Sequence, residues 1–299
     1  MPCSTPGPQT ALMTCSYRPD LARCARLCRS VDRHVSESIP HLLIVPGRDL
    51  AHFRHLAGGR RSLLAVEDVV PGHFRQLPGL RKWWLDDGAW PVRGWVMQQV
   101  TKLSANFATT APTIVFADSD LQFLRALDPR HLFRGGRLRL HRIPGARPDG
   151  EHRRWHDRAA RLLGLPSQYF GADYVGQLVS WHRSHLEGLQ QHIEQVQGQG
   201  WQRAVARSLR VSEYILYGAY IEAVVGLQNS AHYGHPRDLC HCCWFDHQLR
   251  ALASGETPLR DDAVAVLIQS NLGLSDQAER QVLRRIGGGA ACPGGLLHA

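Results

Sequence analysis

The sequence has no long hydrophobic run and no recognisable leader segment. No apolar stretch approaches the roughly 20 residues that a membrane-spanning helix requires. The first ten residues, MPCSTPGPQT, contain neither the basic start nor the apolar segment of a signal peptide. We therefore expect a cytoplasmic protein. Repeats and low-complexity tracts are also missing, apart from Gly/Pro-rich tails at 1–10 and 287–299 that we expect to be flexible.

Cysteine occurs eight times, but not with the spacing of a zinc site. Cys240 and Cys243 form one C-x-x-C, and no second C-x-x-C exists to complete a four-ligand set. Cys24 and Cys28 lie at helical spacing among apolar residues, which is typical of small core side chains. The sequence therefore favours a reduced protein without disulfides.

Positive charge is in excess. The formal net charge is +9, from 35 Lys and Arg against 26 Asp and Glu, and almost all of the excess is arginine. Such an excess of positive charge suits an anionic partner, for which a nucleotide, a nucleic acid and a membrane surface are the alternatives. The sequence has no helix-turn-helix, zinc finger or aromatic-basic single-strand motif, and its arginines are dispersed among acids. Nucleic-acid binding is thus the weakest hypothesis, and we expect no nucleic-acid partner.

The first half of the chain alternates strand-like and helical patterns. With 299 residues and 43% hydrophobic content, the chain is long enough for a sizeable core. Helical patterns cover 20–35 and 93–107, and the alternation predicts an α/β fold with a mostly parallel sheet flanked by helices. A further strand with one polar face is expected at 137–143. The apolar runs that predict strands are residues 11–16, 41–46, 62–69 and 113–118.

The second half is predicted to be rich in helices. Apolar residues spaced by three and four predict one long amphipathic helix over 175–196. Residues 151–165 and 202–225 also have helical patterns, whereas 263–270 is strand-like. If 239–245 is a strand, Cys240, Cys242 and Trp244 share one face, and His241 and Cys243 share the other.

Two aspartates, Asp118 and Asp120, directly follow the most apolar predicted strand. Carboxylates this close repel each other, and partial burial makes both costlier. In an open parallel sheet, ligands bind beyond the carboxyl ends of the strands. The hard carboxylate oxygens suit Mg²⁺ or Mn²⁺, whose shell is commonly completed by phosphate oxygens. The alternative is that both residues merely cap a helix that begins near Leu121.

Several segments together resemble a family. The chain resembles a nucleotide-sugar glycosyltransferase of the GT-A type and, among these enzymes, a bacterial family known mainly as a domain of unknown function. The resemblance covers about 12–220 and implies a Rossmann-like GT-A fold. It also implies one catalytic domain at 11–286, with a nucleotide-binding half at about 11–145 and an acceptor half at about 146–286. The segments that carry it are LMTCSYRPDLARC, RKWWLDDGAWPVRGWVMQQVTKLSA, VFADSDLQFL with its D-x-D motif, and VSEYILYGAY.

The resemblance implies a metal-dependent sugar transfer in bacterial polysaccharide or glycoconjugate synthesis. The donor is expected to be a UDP- or GDP-sugar and the acceptor a glycan or a lipid-linked molecule, with the inner face of the membrane as a second location. Asp120 is expected to bind Mn²⁺ or Mg²⁺ directly, with Asp118 reaching the metal or the ribose. His241 is the candidate for a third ligand, although a structural histidine explains it equally well.

Donor-binding candidates come from three places. The end of the first strand offers hydroxyls, a ring and a carboxylate, although Asp20 alone is also explained as a helix N-cap. Gln98 and Lys102 share one side of the predicted helix because they are four residues apart. Nearby, Trp83, Trp84, Trp90 and Trp95 are explained mostly by core packing, with one of them suited to stack on a sugar. The complete set of donor-binding candidates is Thr14, Ser16, Tyr17, Asp20, Gln98, Gln99, Lys102 and Ser119.

Glu213 is the candidate catalytic residue. In an inverting enzyme a carboxylate takes the proton of the acceptor hydroxyl, and the resemblance implies this role for Glu213. In a retaining enzyme it would bind the acceptor instead. The structural alternative is an ion pair with an arginine such as Arg210.

A phosphatase of the haloacid dehalogenase type is the alternative enzyme. It would use Asp118 as nucleophile and Asp120 as acid. That group usually places the motif on its first strand, followed by Thr or Val at the fourth position after the nucleophile. Here at least two strands precede Asp118, and the fourth position is Gln122.

Overall fold

The strands and helices alternate along the chain. A computed structural model describes residues 9–288 except 73, 78, 81, 270, 271 and 275. The strands are β1 Thr10–Cys15, β2 His41–Val45, β3 Arg61–Ala65, β4 Arg75–Gln76, β5 Trp83–Leu85, β6 Pro91–Arg93, β7 Thr113–Ala117, β8 Leu121–Phe123, β9 Phe133–Arg134, β10 Arg137–His141, β11 Ile143–Pro144, β12 Ala172–Asp173, β13 Leu178–His182, β14 His232–His235, β15 Cys240–Cys243 and β16 Ala265–Ile268. The α-helices are α1 Leu21–His34, α2 Leu50–Phe53, α3 Val66–Val69, α4 Gly94–Leu103, α5 Ala105–Ala108, α6 Pro129–Leu132, α7 Gly150–Leu162, α8 Arg183–Gln197, α9 Trp201–Ala206, α10 Glu213–Tyr220, α11 Asp246–Ser254 and α12 Asp276–Gly288.

The central sheet has the strand order β13-β7-β1-β2-β3. β1 pairs in parallel with β2 and β7, and β2 pairs in parallel with β3. Only β13 is antiparallel, at the edge beside β7. A mostly parallel sheet flanked by helices is therefore confirmed.

Helices cover both faces of this sheet. Because successive strand residues point to opposite faces, neighbouring residues of β1 and β7 belong to different clusters. Met13 and Phe116 pack with α4 and α10. Leu12 and Val115 pack on the other side with α1 and β8. Burial on both faces explains why these strands are almost uninterruptedly apolar.

A second, smaller sheet begins immediately after the two aspartates. β8 pairs antiparallel with β16, which pairs in parallel with β15. Asp118 and Asp120 thus lie in the short connection between the central sheet and this smaller sheet. A strand, not a helix, follows Asp120, so the prediction that the aspartates cap a helix is wrong. The expected faces of β15 are confirmed, because Cys240, Cys242 and Trp244 contact one apolar cluster and Cys243 another.

The predicted long helix over 175–196 is wrong in its first part. Leu178–His182 is the edge strand β13, and the helix begins only at Arg183. The segment LVSWH satisfies helical spacing by chance, but its alternate residues bury on opposite sides of a strand: Val179 and Trp181 join the cluster of Phe116, whereas Leu178 joins that of Val115. The helix ends at Gln197 and is followed by Gly198, whose φ of 62° is left-handed.

Two further predictions need correction. The strand expected at 62–69 ends at Ala65, where α3 begins. The helix expected over 202–225 is interrupted, since Ser212 caps a new helix by accepting from the N–H of Ile215. The strand predicted at 137–143 is present as β10 over Arg137–His141, and two residues of its polar face, Arg139 and His141, are buried.

The outermost elements lie near the chain ends. β1 starts at Thr10 and α12 extends to residue 288, and the domain bounds of 11–286 stay a prediction. The rest of the predicted tails, 1–8 and 289–299, lies outside the described residues. In the part of the chain that the structure describes, no helix is both long and apolar enough to cross a membrane.

Candidate functional site

A cavity of about 580 Å³ opens at the carboxyl ends of the parallel strands. Its floor comes from residues that follow each of them: Ser16 after β1, Pro46 after β2, Val66 after β3 and Ser119 after β7. This is where open α/β sheets bind ligands. The opposite wall is built by one side of α4 and by the small β4-β5-β6 sheet.

The walls combine aromatic rings with charged groups. Tyr17 and Trp95 expose their rings, and the guanidinium of Arg93 lies 6.0 Å from the ring centre of Trp83. The cationic side chains among the described lining residues are Arg48, Lys82 and Arg93, and the acidic ones are Asp20 and Asp49. An apolar concave site with a few charged groups suits a ligand that has a flat ring at one end and negative charge at the other.

Most of the predicted donor-binding residues meet in this cavity. Those that line it are Ser16, Tyr17, Asp20, Gln98 and Ser119. Burial of Asp20 raises the pKa of its carboxyl group, although Arg23 opposes the shift.

Three predicted donor-binding residues do not line the cavity. Thr14 is buried, with its hydroxyl 3.0 Å from Nε2 of His41. The side-chain oxygen of Gln99 accepts from the N–H of Glu213 at 2.9 Å. Lys102 is also buried, and it belongs to an ionic cluster behind the cavity floor.

The ionic cluster is centred on the ammonium group of Lys102. Its Nζ lies 2.9 Å from Asp118 Oδ1 and 3.0 Å from Glu213 Oε1, and it donates to the hydroxyl of Tyr214 at 2.8 Å. Burial alone would lower the pKa of Lys102, but Asp118, Tyr214 and Glu213 outweigh it and hold the pKa well above its usual range. The lysine is therefore charged and ties the D-x-D segment to α10.

Glu213 lies behind the cavity rather than on it. Its side chain is 2% exposed, and it is not one of the described residues that line the cavity. Burial raises the pKa of its carboxyl group, and Lys102 partly offsets this. The predicted structural alternative, an ion pair, is found, but the partner predicted for it is wrong. Arg210 lies 3.8 Å from Glu151, and Lys102 pairs with Glu213.

Asp120 lacks the compensation that Asp118 has. Burial, followed by the charge of Asp118, raises the pKa of Asp120 to about 7. No ion pair joins it to any described residue, and Arg23 is engaged by Asp20 at 3.6 Å and by Glu279 at 3.5 Å. A cation beside Asp120 would restore the ordinary acidity of this group.

The two aspartates fit a hard divalent cation. Their carboxylate oxygens are the donors that Mg²⁺ and Mn²⁺ prefer, and a phosphate would complete the shell of such a cation. Of the D-x-D segment, Ser119 lines the cavity, whereas neither aspartate is among its described lining residues, and Asp120 borders a second, much smaller recess together with Arg23 and Arg26. Among the described residues, however, no three His, Cys, Asp or Glu side chains are close enough to hold a metal together. The remaining positions of such a cation would therefore fall to the ligand and water.

His241 does not join the aspartates as the predicted third ligand. β16 lies between β15, which carries His241, and β8, which follows Asp120. Two strand spacings separate His241 from β8, about 10 Å in all. Its Nδ1 is 3.5 Å from the backbone N–H of Arg260, as expected of a structural histidine.

The sequence-based prediction missed part of the cavity. Arg48 and Asp49 follow β2 as Asp20 follows β1, so the rule for strand ends could have identified them. Asp49 is buried and accepts from the N–H of Arg18 at 2.9 Å, which fixes the turn after β1. No sequence signal pointed to Lys82 and Arg93, since they reach the cavity through the short β4-β5-β6 sheet.

Residues 9–286 match the family described as "Family of unknown function (DUF6492)". The chain belongs to this family. The match covers the central sheet, the cavity and nearly all of α12. A comparison with curated proteins finds no significant match.

Proposed function

We propose that this protein is a GT-A-type glycosyltransferase that depends on Mn²⁺ or Mg²⁺. It transfers a sugar from a nucleoside-diphosphate donor to a glycan or lipid-linked acceptor in bacterial polysaccharide or glycoconjugate synthesis. One observation carries the proposal: Ser119 of the D-x-D segment lines a cavity at the carboxyl ends of the parallel strands, and burial together with the charge of Asp118 raises the pKa of the neighbouring Asp120 to about 7.

The cavity provides suitable groups for each part of such a donor. The ring of Tyr17 packs against the base, while Ser16 and Asp20 hydrogen-bond to the base or the ribose. Arg48, Lys82 and Arg93 offset the negative charge of the diphosphate. All of these groups surround the same cavity, whose volume of about 580 Å³ suits a nucleotide-sized ligand.

The reaction breaks the bond between the anomeric carbon of the sugar and a diphosphate oxygen. The oxygen of the acceptor hydroxyl forms the new bond to the anomeric carbon, the diphosphate leaves with the electron pair and its negative charge, and the hydroxyl proton passes to a base. Asp120 would hold the metal, with Asp118 beside it, and the bound cation supplies charge stabilisation to the leaving diphosphate. Lys102 holds Asp118 in place, and Glu213 holds Lys102 in place. The role of Glu213 as catalytic base stays a prediction, because its carboxylate does not reach the cavity in this structure.

The experiment is a thermal-shift screen of UDP, GDP and the other nucleoside diphosphates, with and without Mn²⁺. A ligand at about 100 times its Kd stabilises a protein by about 2.7 kcal/mol. We expect the nucleoside diphosphate of one particular base to raise the Tm of the protein, and to do so only when Mn²⁺ is present. No shift with any nucleotide, together with hydrolysis of a generic aryl phosphate, would instead identify the phosphatase.

A further inference from the structure

An aromatic surface continues from the mouth of the cavity onto α7. Trp95 lines the cavity and is 45% exposed. Its ring centre lies 6.1 Å from that of Trp155, with 30° between the planes, and Trp155 in turn lies 4.6 Å from the ring of His152. We call these three rings, Trp95, Trp155 and His152, the aromatic shelf.

Two rings of the aromatic shelf, Trp155 and His152, are fixed by contacts with the buried interior. Trp155 packs against the main apolar cluster, and its buried Nε1 has no hydrogen-bond partner among the described residues. Nδ1 of His152 lies 3.2 Å from the buried carboxylate of Asp173, which fixes the imidazole ring. An aromatic face fixed in this way can bind a ring without losing side-chain freedom.

The shelf is displaced from the D-x-D segment along α4. Trp95 and Lys102 are seven residues apart on this helix, which corresponds to about 10 Å along its axis. Because Lys102 reaches Asp118, the D-x-D segment lies beside the C-terminal part of α4, whereas the shelf lies at the first turn of this helix.

We propose that the aromatic shelf binds a sugar ring of the acceptor. The apolar face of a pyranose would lie on the indole of Trp95. Its hydroxyls would reach the polar groups at the two ends of the shelf, which are Gln98 in the cavity wall and the half-exposed guanidinium of Arg147, whose Nη1 lies 3.3 Å from Nε2 of His152. The inference rests on the proposed function, in which Tyr17 and Asp20 bind the base or ribose of the donor in the same cavity.

The chemistry of the shelf favours a sugar over an acyl chain. An acyl chain needs a groove that is apolar throughout, whereas this surface has hydrogen-bonding groups at both ends of its exposed ring. Exposed apolar patches with polar rims are typical of ligand-binding surfaces. An amphipathic ring such as a pyranose matches both features.

The test measures saccharide binding without any nucleotide. The probes are soluble disaccharides of glucose, N-acetylglucosamine and mannose, titrated into the full-length protein and followed by saturation-transfer NMR. Trp95→Ala removes the exposed ring of the shelf. Trp90→Ala is the matched control, because Trp90 is also 45% exposed but is not one of the described cavity residues. We expect at least one disaccharide to bind the wild type and Trp90→Ala equally, and Trp95→Ala about tenfold more weakly or worse, as for the loss of a central aromatic contact.

Two outcomes would overturn the proposal. The first is that no disaccharide binds the wild-type protein, or that Trp95→Ala binds it as well as the wild type does. The second is that Trp95→Ala loses metal-dependent nucleotide binding but keeps saccharide binding, which would assign the ring to the donor base. The nucleotide screen is run on the same variants, so the proposed transferase function can survive the failure of the aromatic shelf.

Discussion

Lys102 and Glu213 form an ion pair of 3.0 Å in which neither side chain is more than 5% exposed. The pair joins α4 to α10 directly behind the D-x-D segment. Lys102 is one of only two lysines in a chain that otherwise uses arginine for its positive charge. A compact ammonium fits between Asp118, Glu213 and the hydroxyl of Tyr214, where the flat guanidinium of an arginine would need more room.

Replacing Lys102 should destabilise the protein strongly. Lys102→Met leaves Glu213 buried without its cation, and breaking a buried pair in this way costs about 3–5 kcal/mol. We expect a matching loss in the free energy of unfolding, measured by urea denaturation. The matched control is Lys82→Met, which changes the other lysine, an exposed residue, and should leave stability nearly unchanged.

The double variant Lys102→Met/Glu213→Gln tests whether the loss comes from the stranded carboxylate. It should be more stable than Lys102→Met alone, because it removes the charge that has lost its partner. Additive losses in the two single variants would show that the pair does not couple, and the ionic cluster would then have no role in stability.

Removing the carboxylate of Asp120 should abolish metal-dependent nucleotide binding. Asp120→Ala deletes the predicted metal ligand and also relieves the repulsion between Asp120 and Asp118, so the Tm of the ligand-free protein should hold or rise slightly. Binding of UDP or GDP with Mn²⁺ is measured by calorimetry. Asp246→Ala is the control, since Asp246 is exposed and, among the described residues, forms its ion pair with Arg250 of the same helix. Unchanged metal-supported binding in Asp120→Ala would remove Asp120 from the site.

The raised pKa of Asp120 predicts a specific pH dependence. The group titrates near 3.8 when unfolded and near 7 when folded, so the folded state binds the extra proton between these values. Stability from this group is therefore full below pH about 4 and is lost as the pH rises through about 7. Asp120→Asn should raise the Tm relative to the wild type above pH 7 and not near pH 4. Equal pH profiles of the Tm in the two proteins would contradict this.

Metal binding should follow the same titration with the opposite sign. A cation requires the ionised carboxylate, so the Mn²⁺-dependent shift in Tm should grow as the pH rises from about 5 to about 8. It should level off once Asp120 is ionised. If the Mn²⁺-dependent shift in Tm is constant across this range, the metal does not compete with a proton on Asp120.

The central sheet was predictable because its strands are buried on both faces. The continuous apolar runs of β1, β2 and β7 indicate strands in the middle of a covered parallel sheet. Asp118 and Asp120 directly follow β7, so they lie at the carboxyl end of a parallel strand. β13 was not predictable, since Leu178, Val179 and His182 satisfy helical spacing as well as the pairing with β7. Two of the clustered tryptophans, Trp90 and Trp95, were expected mostly in the core and are exposed.

The ionic cluster could not be predicted from local patterns. Lys102 and Tyr214 are separated by 112 positions along the chain, and their contact depends on how α10 packs against α4. The sequence could indicate that Lys102 lies on the same side of α4 as Gln98. It could not indicate that the lysine ends up buried between two carboxylates, because that position depends on tertiary packing rather than on helical periodicity.

Glu213→Gln separates a positioning role from a catalytic one. The substitution keeps the size of the side chain but removes its charge. Because Lys102 retains Asp118 as a partner, the loss of stability should be smaller than in Lys102→Met, yet measurable as a lower Tm. Burial of Glu213 away from the cavity leads us to expect that turnover with the true acceptor falls by less than about tenfold, well short of the 10²–10⁴-fold typical of losing a general base.

Glu187→Gln, which removes a charge from a partly exposed pair with Arg183, is the control for charge alone and should change neither the Tm nor turnover. A Glu213→Gln protein with an unchanged Tm and unchanged donor affinity, but turnover reduced by about a hundredfold or more, would establish Glu213 as the base. It would also require α10 to move toward the cavity during the reaction, since the carboxylate must come within about 3 Å of the acceptor hydroxyl to take its proton.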